Sequence, residues 1–77
     1  MNRAGTVVRS AQGLAVVRSP DDTVPTVGAA VVDEGLSEVG EVVTVFGPVG
    51  RPYAAVRPAE GVRPARLVGD PVYAREG

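Results

Sequence analysis

Short valine-rich runs broken by glycine or proline recur along the whole chain, and that punctuation leaves room for short strands and little else. Thr6-Val7-Val8-Arg9-Ser10 and Leu14-Ala15-Val16-Val17-Arg18 are two such runs. Ala11-Gln12-Gly13 separates them, and its glycine admits a positive φ, so a hairpin is expected. Ser19-Pro20-Asp21-Asp22 is turn chemistry: proline pre-sets φ, aspartate bonds the local backbone, and no regular loop of oxygen ligands follows to make a cation site. Val24-Pro25-Thr26-Val27-Gly28 should run extended into a third strand, Ala29-Ala30-Val31-Val32, closed by Asp33-Glu34-Gly35. Asp33 there needs only a backbone N–H to serve as a turn residue, whereas catalysis would require a second acid or a base beside it. The one stretch worth testing as helix, Ser37 to Val39, is cut short by Gly35 and Gly40.

Gly40 opens a fourth strand, Glu41 to Phe46, in which strict alternation puts Val43 and Val45 on one face and Val42, Thr44 and Phe46 on the other. Both faces are then largely apolar, which suits a strand deep in a closed barrel or one covered by a partner. A fifth strand, Ala54-Ala55-Val56, follows the connection Phe46-Gly47-Pro48-Val49-Gly50-Arg51-Pro52-Tyr53. Pro48 and Pro52 cannot donate ladder bonds, and each pushes the residue before it, Gly47 or Arg51, toward extended geometry, so a stiff arch is expected. Its apolar side chains, Phe46, Pro48, Val49, Pro52 and Tyr53, belong either in the protein's own core or on the surface of another protein. With one Phe and two Tyr in the chain, little else of large volume is available to a valine core, which favours Phe46 as a core plug. Val56-Arg57-Pro58-Ala59 is echoed by Val62-Arg63-Pro64-Ala65, a repeat too short for a solenoid. Leu67 to Tyr73 offers a last strand interrupted by a turn, able to pair with the first and close the sheet. The reading is therefore an all-β fold, a small closed β-barrel of about six strands, since closure removes aggregation-prone edges.

Composition narrows the chemistry. At 77 residues the chain is one small domain, of a size that buries only about 60 % of its unfolded surface. Without cysteine or histidine it lacks disulfides, the usual zinc ligand sets, and the nucleophile systems that depend on those side chains. No cofactor, metal or small-molecule substrate is expected. A net charge of −1 does not describe a general nucleic-acid binder, so RNA contact would have to be local. No apolar run approaches the roughly 20 residues that span a bilayer, and Met1-Asn2-Arg3-Ala4-Gly5 lacks a signal-peptide core. The expectation is a cytoplasmic protein with no membrane partner.

Several of these segments form an ordered set: Gly28-Ala29-Ala30-Val31-Val32-Asp33, Val39-Gly40-Glu41-Val42, Phe46-Gly47-Pro48-Val49, Pro52-Tyr53 and Val56. The set resembles the core signature of the small Gar-type (glycine/arginine-rich) subunit of H/ACA ribonucleoproteins, guide-RNA particles that convert selected uridines of ribosomal RNA to pseudouridine. The resemblance runs from about Thr6 to Tyr73, and Phe-Gly-Pro-Val followed by Pro-Tyr is its most specific part. It implies a barrel like that of elongation factors and the reductase-isomerase type. It also implies docking on a pseudouridine synthase that itself supplies the catalytic aspartate. In that family the subunit is not catalytic; it governs a substrate-gating loop and so favours loading and release of target RNA. Guide RNA and ribosomal RNA would be met mostly through the complex. Eukaryotic relatives add Arg-Gly-Gly-rich tails, and this chain, a single domain over residues 1–77, carries none, so it resembles the archaeal form.

Three functions compete. In the first, a docking subunit, Phe46, Pro48, Val49, Pro52 and Tyr53 form or shape a contact patch with Arg51 and Arg57 at its rim. In the second, the barrel binds RNA directly through Arg51, Arg57, Arg63 and Arg66, with Tyr53 as a stacking platform; the acidic balance and scarcity of aromatics argue against it. The third, an independent enzyme, would have to use Asp33, Glu34, Glu38 and Glu41, whose spacing is more simply that of a hairpin turn with solvated flanks.

Overall fold

The computed structural model of the protein describes residues 2–19 and 25–75. Its strands are β1 (Asn2–Ala11), β2 (Leu14–Arg18), β3 (Ala30–Val32), β4 (Glu38–Phe46), β5 (Tyr53–Pro58) and β6 (Pro71–Arg75), with a 3-10 helix over Pro64–Leu67. They close into a barrel in the order β1-β2-β5-β4-β3-β6, every pairing antiparallel. The expected all-β barrel is present, and the last strand closes it against the first.

The two long strands make closure possible. β1 pairs with β6 over Asn2–Thr6 and with β2 over Thr6–Ala11, while β4 pairs with β3 near Gly40 and with β5 from Gly40 onward. Each must bend where it changes partner, and glycine sits at both bends. A Cβ on Gly5 would run into the carbonyl oxygen of Arg18, and one on Gly40 into that of Arg57. Close backbone approach at a barrel corner is a position only glycine fills. The interior that results is lined by small β-branched and alanine side chains: Val7, Ala15, Val17, Val31, Val39, Val42, Ala54, Val56, Val72 and Ala74, with Leu67 of the 3-10 helix packed against them.

Register shifts interrupt four of the six pairings. The one between Val42 and Thr44 corrects the expected faces of β4. Val43 is the extra residue there, so Val42 points into the core while Thr44 and Phe46, two and four residues on, turn outward. Val45 takes the inward place and packs against the core. Phe46 is accordingly no core plug; it is 41 % exposed, and the barrel fills its interior without an aromatic ring.

The connections follow local chemistry. Gln12 (φ 53) and Gly13 (φ 80) form the two-residue hairpin between β1 and β2, where both central positions need positive φ. Residues 26–29 are a turn, not the extended run expected: Ala29 N–H donates to the carbonyl of Thr26 at 3.0 Å, with Gly28 at φ 94. The turn expected at Ser19-Pro20-Asp21-Asp22 falls largely on residues 20–24, outside the described residues. Leu67 ends the 3-10 helix and does not begin a strand. Proline at the first helical position, Pro64, suits that helix, whereas Pro58 ends β5, so the two Val-Arg-Pro-Ala segments adopt different structures.

Asp33 is the turn residue it was read to be. Its Oδ1 accepts from the backbone N–H of Gly35 and of Ser37, both at 2.9 Å, holding the β3–β4 connection in which Leu36 takes φ 68. Asp33→Ala removes the one oxygen that accepts both bonds in an exposed turn and is expected to cost about 1 kcal/mol. With a urea m-value of about 1 kcal/mol/M for so small a domain, the unfolding midpoint should fall by about 1 M. An unchanged midpoint would mean that water replaces the carboxylate without loss.

Candidate functional site

The β4–β5 connection is a tight, braced turn. Phe46 and Tyr53 pair across the two strands, and their rings stack with centroids 5.7 Å apart and planes 16° from parallel. Beyond them Gly47 takes φ 96, in place of the extended geometry expected before proline. A Cβ there would lie 2.8 Å from Cδ1 of Tyr53, so the absence of a side chain at Gly47 is what lets the tyrosine ring lie against the chain. Pro48-Val49-Gly50-Arg51 closes the tip, Arg51 N–H donating to the Pro48 carbonyl at 3.2 Å. At the other foot Pro52 is buried, and its carbonyl accepts from Ser19 N–H at 3.1 Å, which fastens the turn to the end of β2.

The arch therefore divides its apolar residues between two environments. Pro52 belongs to the barrel, Tyr53 is half-buried under Phe46, and Phe46, Pro48 and Val49 face outward. Val49, at the tip, is 94 % exposed. Proline stiffness, a stacked ring pair and an anchored foot hold a valine in solvent, a placement that burial within this chain does not account for.

The structure places the arginines singled out from the sequence apart from one another. Arg51 lies in the turn. Arg57 lies at the opposite end of β5, where its Nη2 donates to Oε1 of Glu41 at 3.1 Å, an exposed ion pair. Arg63 and Arg66 flank and join the 3-10 helix. Arg18 is the residue missed. Cross-strand register sets Thr6, Arg18, Tyr53 and Phe46 in one row across β1, β2, β5 and β4, and Arg18 and Arg51 line one cleft together with Thr6, Val8 and Ser19. Period-two alternation of Leu14, Val16 and Arg18 was the available signal, but nothing local says that β5 lies beside β2. Asp33 holds the β3–β4 connection, Glu34 lies in it, Glu38 begins β4, and Glu41 pairs with Arg57. Among the described residues no group of histidine, cysteine or acidic side chains is placed to hold a metal.

Residues 1–76 match the family described as Gar1/Naf1 RNA binding region. The chain is also 30 % identical over 70 residues to the H/ACA ribonucleoprotein complex subunit GAR1 of Chaetomium globosum, a match covering 90 % of this chain and 33 % of that protein. The chain thus spans about a third of the length of the curated relative it matches.

Proposed function

Because the chain belongs to the Gar1/Naf1 RNA-binding-region family, we propose that it is a non-catalytic subunit of an H/ACA ribonucleoprotein. It docks on the pseudouridine synthase through the tip of the β4–β5 turn and modulates the loading and release of target RNA. Pro48 and Val49 form the contact, while Phe46, Pro52 and Tyr53 shape and stiffen it and Arg51 stands at its rim. The observation that carries the reading is the exposure of Val49 on a turn braced at both feet. A preorganised apolar tip loses little conformational entropy on docking, and a small apolar anchor seated in a partner's pocket is how a short contact gains affinity.

The test is reconstitution. The purified chain, mixed with the purified pseudouridine synthase of an H/ACA particle from the same source, should co-elute with it on gel filtration. Added to synthase, guide RNA and target RNA, it should raise multiple-turnover conversion more than the first turnover, because release is the step it assists. The chain alone should convert no uridine. Separate elution with no effect on turnover, or isomerisation by the chain by itself, would overturn the reading.

A further inference from the structure

The surface around the β3–β4 connection carries a groove that is apolar in one half and acidic in the other. Two hollows adjoin there and share Asp33 and Glu34. Leu36 and Tyr73 complete the first, Asp70 and Pro71 the second. Tyr73 pairs with Val32, the last residue of β3, so strand register itself sets the ring beside the connection. Leu36 is 61 % exposed and takes φ 68, a conformation that glycine adopts at less cost, so neither burial nor backbone geometry accounts for a leucine there.

The charge of the groove has one sign. Asp33, Glu34 and Asp70 supply carboxylates, and all eight arginines of a chain without lysine or histidine lie among the described residues. The one ion pair among those residues joins Arg57 to Glu41, so no arginine of this chain neutralises the groove. Arg3, next to Tyr73 on β1, donates instead to Thr6 Oγ1 at 3.5 Å. Oδ1 of Asp33 is committed to the turn, which fixes that carboxylate and leaves Oδ2, among the described residues, to accept from a ligand. The acids do not converge on a point: among the described residues no group of them is placed to hold a metal ion. Carboxylates spread along a groove suit cations carried on a chain, and they repel a phosphate backbone.

We propose that this groove binds an extended, arginine-bearing peptide segment of a partner protein. A guanidinium enters between Glu34 and Asp70, and the apolar side chain next to it on the peptide rests on Leu36 and Tyr73. Arginine suits the acidic half better than lysine, because its planar fork of donors meets two carboxylates at once. The site is separate from docking through Val49. β4 begins at Glu38, paired with the end of β3 at the groove, and finishes at Phe46, at the foot of the β4–β5 turn.

The full chain, isotope-labelled and titrated with the peptide acetyl-Gly-Arg-Leu-Arg-Gly-amide while its amide chemical shifts are followed, tests the proposal without any synthase present. The largest shifts should fall on Glu34, Leu36, Asp70 and Tyr73. Glu34→Gln and Asp70→Asn should each weaken binding about threefold at low salt, the worth of one exposed ion pair. That loss should shrink in high salt. Leu36→Gly, which a backbone at φ 68 accepts, should weaken binding about fivefold and leave its salt dependence unchanged. Glu60→Gln, in the connection after β5, should change neither. Far-UV circular dichroism checks that each variant is folded. A peptide with citrulline in place of both arginines should not bind. Absence of shifts at millimolar peptide, equal binding by the citrulline peptide, shifts centred on the β4–β5 turn, or the same shifts from calcium chloride alone would each overturn the proposal.

Discussion

Gly40→Val is expected to leave the chain largely unfolded at temperatures where the wild type is native. The position is the bend at which β4 passes from β3 to β5, paired with Val31 on one side and Pro58 on the other. Any Cβ there meets the Arg57 carbonyl, with the carbonyl carbon at 2.8 Å and Cα of Pro58 at 3.0 Å. All three are backbone atoms of a paired strand, so no flexible side chain can swing aside, and the strand must move or the ladder must open. Overpacking in a tight site costs about 1–3 kcal/mol, and rigid backbone obstruction belongs at the upper end of that range. A domain of this size has on the order of 5 kcal/mol of stability in total. At about 4–8 °C per kcal/mol the melting temperature should fall by about 15 °C or more. Gly50→Ala is the control: a Cβ at Gly50 meets nothing within 4 Å, so its melting temperature should stay within about 3 °C of the wild type. Equal melting temperatures for Gly40→Val and the wild type would show that the strands do not cross as closely as described.

Val49→Asp is the converse case, a substitution expected to leave the fold intact and abolish partner binding. Val49 is 94 % exposed, so replacing it removes almost no burial and should change stability by no more than about 0.5 kcal/mol. Docked, the same position would place an unpaired carboxylate in an apolar pocket and forfeit the anchor. Loss of a central anchor costs about 2 kcal/mol or more, a weakening of roughly 30-fold, before desolvation of the charge is added. Co-elution with the synthase at micromolar concentration should disappear. Leu36→Asp supplies the comparison, since Leu36 is also apolar and exposed, at 61 %, but lies in the β3–β4 connection. It should co-elute normally. If Val49→Asp binds like the wild type, or if both variants fail alike, the tip of the turn is not the contact.

The β1–β2 hairpin shows why much of this fold is legible from sequence. Two β-branched runs separated by Gln12-Gly13 leave the chain few options, because the turn requirement is satisfied within two residues and depends on nothing distant. Asp33 is readable for the same reason, the two N–H groups that donate to its Oδ1 lying two and four residues away. The 3-10 helix at Pro64–Leu67 was not, since a valine and a leucine near a glycine suit a strand equally well until Leu67 is seen to pack on the core.

Short runs of valine and the spacing of Gly and Pro between them were enough by themselves to determine an all-β barrel and its hairpins, and the lack of histidine and cysteine rules out disulfides and the nucleophile and metal sites that depend on those two side chains. Those are properties of neighbours along the chain. Where Phe46 points, and which arginine stands beside Arg51, only the tertiary structure decided. The extra residue at Val43 exists only against its partner strand β5, and one residue of slip in a period-two structure exchanges inside for outside. Arg18 and Arg51 line one cleft because β2 pairs with β5, across more than thirty residues of intervening chain, a neighbourhood that no local pattern encodes.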